Sequence, residues 1–104
     1  MTPTELCALA QRINAAVPGL VYPIELPNEA TASEEDAVFY TEEAASMMLG
    51  WVYAAFMRYS AKDYEALLNG DGEERHRLAG VIAVLEESKN TLRSFLLTQL
   101  PEAA

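Results

Sequence analysis

Thr41-Glu42-Glu43-Ala44-Ala45-Ser46-Met47-Met48-Leu49-Gly50-Trp51-Val52-Tyr53-Ala54-Ala55-Phe56-Met57-Arg58-Tyr59 is the stretch that decides how this chain folds. Met47, Met48, Leu49, Trp51, Val52, Tyr53, Phe56 and Met57 distribute apolar side chains nearly all round a helix, which marks an element covered on more than one side. Thr41 is a residue preferred at helix N-caps, and Glu42 and Glu43 follow in the turn where the helix dipole favours anions. The reading is a central helix from Thr41 to about Tyr59. Ser46, Gly50 and Ala54 recur at every fourth position, so another helix backbone can come close there. Glycine in mid-helix costs about 1 kcal/mol relative to alanine, which asks for a packing reason. The uncharged run from Ala44 to Met57 has 14 residues, against the roughly 20 that cross a bilayer. It reads as a core or interface helix.

Working outward toward the N-terminus, Thr2, Pro3 and Glu5 form a capping box with proline at the first helical position. Leu6, Leu9, Ile13 and Val17 then share one helical stripe, ended by Pro18 and Gly19. Leu20, Tyr22, Ile24 and Leu26 alternate with Val21, Pro23 and Glu25, while Pro23 and Pro27 forbid a central strand. The expectation is an extended or edge-strand segment over residues 20–27. Asn28 to Ser33 reads as a loop, and Ser33 with Glu34, Glu35 and Asp36 as the cap of a short helical turn carrying Val38, Phe39 and Tyr40.

In the other direction, Ser60 and Asp63 read as caps of a separate short helix holding Tyr64, Leu67 and Leu68, closed by Asn69 and a left-handed Gly70. Asp71 and Glu74 form another capping box, after which Leu78, Val81, Ile82, Leu85, Leu92, Phe95, Leu96 and Leu100 keep helical register up to Pro101. Ser88, Lys89 and Asn90 interrupt that stripe, as a polar layer or a bend, and one continuous helix is the preferred reading. The fold class expected is mainly α: a small bundle of about four helices with one extended segment near residues 20–27, as a single domain over 1–104.

Sixteen acids against seven bases give a net charge of -9. Between Arg12 and Arg58 lie 45 residues with seven carboxylates and no Lys or Arg. Such a run repels phosphate and steers the molecule toward basic partners, which argues against direct nucleic-acid binding. Only Arg75 and Arg77 make a basic spot. The single cysteine, Cys7, permits no intramolecular disulfide and no thiolate metal cluster. With no basic segment followed by an apolar one at the N-terminus, a reducing cytoplasm is the expected location.

Catalytic chemistry has little to draw on. His76 sits between Arg75 and Arg77 and reads as a surface histidine, and Cys7 lies beside the apolar stripe of the first helix, where a free cysteine acts as a small hydrophobe. Neither belongs to a local triad. Glu34, Glu35, Asp36, Glu42 and Glu43 lack calcium-loop spacing, Asn69-Gly70-Asp71-Gly72 reads as a turn, and no Gly-rich phosphate loop or Glu-x-x-His pair occurs. No enzyme, cofactor or metal is expected.

Charge and interface-type side chains together point to a small acidic protein-interaction module that inhibits, sequesters or escorts a partner with a basic surface. The residues expected to meet that partner are Glu34, Glu35, Asp36, Glu42, Glu43, Tyr40, Met47, Met48 and Trp51, with Ser46, Gly50 and Ala54 as a helix-packing seam. One alternative is an acidic nucleic-acid mimic, whose carboxylates would stand in rows on one face. Another is a structural homo-oligomer, a homodimer with that seam at its centre. No membrane and no direct nucleic-acid partner is expected.

Overall fold

A computed structural model describes residues 1–23, 26, 28 and 31–99. Three helices run through them: α1 (Pro3–Ala16), α2 (Glu34–Leu68) and α3 (Gly72–Thr98). The expected helical class stands, with three helices in place of about four.

The difference lies in α2, which joins three of the expected pieces into 35 residues. Ser33 caps it, its hydroxyl accepting from the Asp36 amide at 3.1 Å, with Glu34, Glu35 and Asp36 in the first turn. Thr41 is not a cap. It is buried inside the helix, and its hydroxyl donates back to the Ala37 carbonyl at 2.5 Å, the bond a mid-helix threonine makes to satisfy itself. Ser60 and Asp63 also lie inside α2, because no glycine or proline interrupts Tyr59 to Leu68. Asp63 turns to α3 and accepts from the Arg75 guanidinium at 3.1 Å. Thr41→Asp, an improvement at a genuine cap, is therefore expected to destabilise the fold by about 3–5 kcal/mol by burying an unpaired charge. Thr41→Val should stay within about 1 kcal/mol; urea unfolding of both variants decides.

The end of α2 follows the sequence closely. Asn69 is the C-cap and Gly70 adopts φ +69. The Asp71 amide reaches the Ala66 carbonyl at 2.9 Å and the Gly70 amide reaches the Leu67 carbonyl at 3.2 Å, the paired bonds of a Schellman stop. Asp71 then caps α3 through the Glu74 amide at 3.1 Å. Half of the expected capping box forms, since the Glu74 carboxylate is engaged by Arg77.

α2 and α3 make an antiparallel hairpin, and the long α3 continues through Ser88 without a break. Leu78, Leu85 and Leu92 are fully buried at seven-residue intervals, with Ser88 buried in the same stripe. Lys89 escapes the core by lying over the Phe56 ring, 4.3 Å from its centroid. α1 presents Leu6, Leu9 and Ile13, joined by Val17 and Val21, to Ala44, Ala45, Met48, Val52 and Ala55 of α2 and Leu85 and Leu92 of α3. Having 14 residues against 35, it covers one part of the hairpin.

No strand is present among the described residues, so the expected edge strand does not form at 20–23 or at 26; Ile24, Glu25 and Pro27 lie outside them. After the turn at Gly19, φ +77, the chain is held by a side chain where a neighbouring strand would have been needed. Asn14 Oδ1 accepts from the Val21 amide at 2.8 Å, and Asn14 Nδ2 donates to the Val21 carbonyl at 3.1 Å. Tyr22 meets Trp51 edge to face, centroids 5.1 Å apart.

The resulting molecule is thin and long, with extents of 53 × 34 × 14 Å and a radius of gyration of 16.1 Å. A compact chain of this length would have a radius near ~13 Å. Two helices fit across the short dimension, given interaxial distances of about 8–10 Å. Much of α2 therefore has nothing over its outer side among the described residues.

Candidate interaction surface along the long helix

The buried face of α2 is set by Thr41, Ala44, Ala45, Met48, Val52 and Ala55. On the opposite side, Phe39, Met47, Tyr53, Met57, Tyr64 and Leu68 are all 45% exposed or more. Seven-residue and three-to-four-residue spacing aligns them into one outer stripe with Glu43, Ser46, Gly50, Ala54 and Ala61. A second apolar line on a helix whose first line already fills the core is more exposed hydrophobic surface than the fold requires.

The residues singled out from the sequence divide accordingly. Met48 is 1% exposed and belongs to the core, out of reach of any partner. Trp51 is half-buried against Tyr22. Tyr40 and Met47 are exposed. Ser46, Gly50 and Ala54 are exposed too, and a Cβ placed on Gly50 would meet no atom within 4 Å. No atom of α1 or α3 comes within 4 Å of that Cβ. Leu49 and Tyr53 flank the seam, with Lys89 and Arg93 of α3 at its edge.

At the N-terminal end of α2, Glu34, Glu35, Val38, Phe39 and Glu42 line a shallow open groove. Val38, Phe39 and Tyr40 are each 45–60% exposed, and the Phe39 and Tyr40 rings meet edge to face at 5.3 Å. Among the described residues the ion pairs are Arg12–Glu87, Arg75–Asp63 and Arg77–Glu74. Glu34, Glu35, Asp36, Glu42 and Glu43 take part in none of them. Sequence reasoning missed Val38 and Phe39 as surface residues because, on a short separate turn, they would be the side that anchors it; on a continuous α2 their phase carries them outward.

The basic spot is already neutralised. Arg75 is bound by Asp63 and Arg77 by Glu74, leaving His76 exposed between them. The Arg77 hydrogen bond holds Glu74 below the ordinary carboxylate value. Its contribution to the first turn of α3 is thus present above the unfolded carboxylate pKa and is lost as pH falls through the lowered one. Cys7 is exposed, contrary to its reading as a packed hydrophobe, and no hydrogen bond joins it to His76. Among the described residues no three His, Cys, Asp or Glu side chains come together as a metal site, and no helix is long and apolar enough to cross a membrane.

Compared with protein-family models, with curated proteins and with solved structures, the chain matches none. Any functional reading therefore rests on the surface itself.

Proposed function

We propose that this protein is a cytoplasmic, non-enzymatic binding module that docks the N-terminal end of α2 into an apolar, basic-rimmed site on another protein, and so inhibits, sequesters or escorts it. One observation carries the reading: exposed Val38, Phe39 and Tyr40 stand among five carboxylates that join none of the ion pairs of the described residues. Aromatic side chains supply contact energy at modest entropic cost, and unpaired carboxylates around them supply steering and register. Both are costly to leave idle: the first exposes apolar surface, and the second adds self-repulsion.

The nucleic-acid mimic is the weaker reading. Glu35 and Glu42, seven residues apart, share one side of α2, while Asp36 and Glu43 share another, with Phe39 between the two rows. Phosphate rows have no such aromatic interruption.

The test is capture from host lysate with the wild type and with Glu35→Lys/Glu42→Lys, at about 0.1 M and about 1 M salt, where the Debye length falls from roughly 10 to 3 Å. A stoichiometric protein held by the wild type at low salt, released at high salt and lost by the variant is the expected result. Equal capture by both proteins would refute the assignment of this end of α2. A captured nucleic-acid-binding protein that loses its nucleic acid would favour mimicry instead.

A further inference from the structure

We infer that the outer stripe of α2 is covered by a second copy of this chain, packed antiparallel across a two-fold axis beside Gly50. The stripe is self-complementary in size. In an antiparallel pair centred on residue 50, residue n lies opposite a residue near 100 - n, and helical phase decides which neighbours meet. Met47 then falls against Ala54 of the other copy, Tyr53 against Ser46, and Gly50 against its own counterpart. In those two pairs the large side chain faces a small one, the same register sets Met57 against Glu43, and the open space beside Gly50 lets the backbones come close. Phe39 meets Ala61 by the same geometry.

The charges that α2 itself carries are also complementary between antiparallel copies, while Lys89 and Arg93 of α3, at the edge of the seam, place like charge near the two-fold. α2 carries Glu34, Glu35, Asp36, Glu42 and Glu43 in its first ten residues, then no charge until Arg58 and Lys62. Arg58 and Glu43 lie on the outer side, and neither belongs to an ion pair among the described residues. The two-fold brings Arg58 of each copy beside Glu43 and Tyr40 of the other. A parallel pair would set Glu43 on Glu43, Arg58 on Arg58 and Tyr53 on Tyr53, which costs like-charge repulsion and collides large side chains. The extended shape is consistent: a plate two helices deep gains the missing depth by pairing. Such a dimer covers Phe39, Tyr40 and Glu43, while Glu34, Glu35, Val38 and Glu42 of the acidic groove lie on the flank of α2 and stay open at both ends.

Each copy carries -9, so association is best measured near 0.15 M salt, where the Debye length is about 8 Å. Sedimentation equilibrium should show a dimer of the wild type, and a monomer of Gly50→Arg with unchanged helicity, since a Cβ at position 50 meets nothing within 4 Å in a single chain. Arg58→Glu and Glu43→Arg should each weaken the dimer by about tenfold or more, and the double variant should recover most of the loss, because the pair is restored with its signs reversed. In a Cys7→Ser background, single-cysteine Glu43→Cys and Met57→Cys proteins should cross-link to each other when mixed and oxidised. Cross-linking of Glu43→Cys to itself in preference would overturn the antiparallel arrangement. A wild type that stays monomeric at millimolar concentration, or purely additive effects at positions 43 and 58, would overturn the proposal. These measurements use the purified chain alone, so their outcome is separate from that of the lysate capture.

Discussion

Met48→Ala is expected to destabilise the chain by about 2–5 kcal/mol, the range for deleting a long buried side chain whose cavity closes incompletely, whereas Met47→Ala should leave the fold within about 0.5 kcal/mol. The two methionines are adjacent and chemically identical, and about 100° of helix separates their fates. Met48 is 1% exposed, between α1 and α3, while Met47 is 45% exposed on the outer stripe. For a small domain whose total stability is about 5–15 kcal/mol, the first substitution threatens folding outright. Urea titration over a range of protein concentrations measures both. A loss at Met47 that tracks concentration belongs to association through the stripe, while a concentration-independent loss as large as that at Met48 would refute the burial described for this helix.

Asn14→Ala should cost about 2–4 kcal/mol although it removes few packed atoms. Asn14 holds both backbone groups of the buried Val21, and truncation leaves an amide and a carbonyl without partners, each worth about 1–3 kcal/mol when desolvated. At roughly 4–8 °C per kcal/mol for a domain of this size, the melting temperature should drop by about 8 °C or more. Asn14→Asp separates the two bonds: the carboxylate still accepts from the Val21 amide but cannot donate to its carbonyl, so it should rank between wild type and alanine above the carboxylate pKa. If both variants melt with the wild type, the clamp does not hold the segment after α1.

How much of this is legible from the residues depends on the range of the physics involved. Capping boxes, prolines and glycines act within four or five residues. Thr2 with Glu5, Ser33 with Asp36, and the Asn69-Gly70-Asp71 stop accordingly stand where the sequence places them. Thr41, Ser60 and Asp63 mislead for a related reason. They are residues that cap helices well, but a cap forms only where the backbone leaves helical geometry, and nothing around them makes it leave. Thr41 finds a carbonyl four residues back and Asp63 finds Arg75 twelve residues on.

Val21 shows the same limit from the other side. Alternation and prolines mark the segment as extended but not a central strand, and no local rule says that an asparagine seven residues earlier supplies its hydrogen bonds. For the candidate surface, the residue types are legible: carboxylates, methionines, tyrosines and the Ser46, Gly50, Ala54 spacing all stand out in the order of residues. Which of them face outward is not, because α2 is apolar nearly all round and its periodicity gives no preferred side.

Neighbouring residues, or sums over them, suffice for the helical class, the start of α1, the cap at Ser33, the sharp turn between α2 and α3, and the uncompensated acidity of the Glu34 to Glu43 region. Packing between distant elements was needed for the rest: Met48 is core while Met47 is surface, and Asn14 stands in for a strand. Burial is shared among elements far apart in the chain, and a helix with two apolar sides acquires an inside only when α1 and α3 choose one of them.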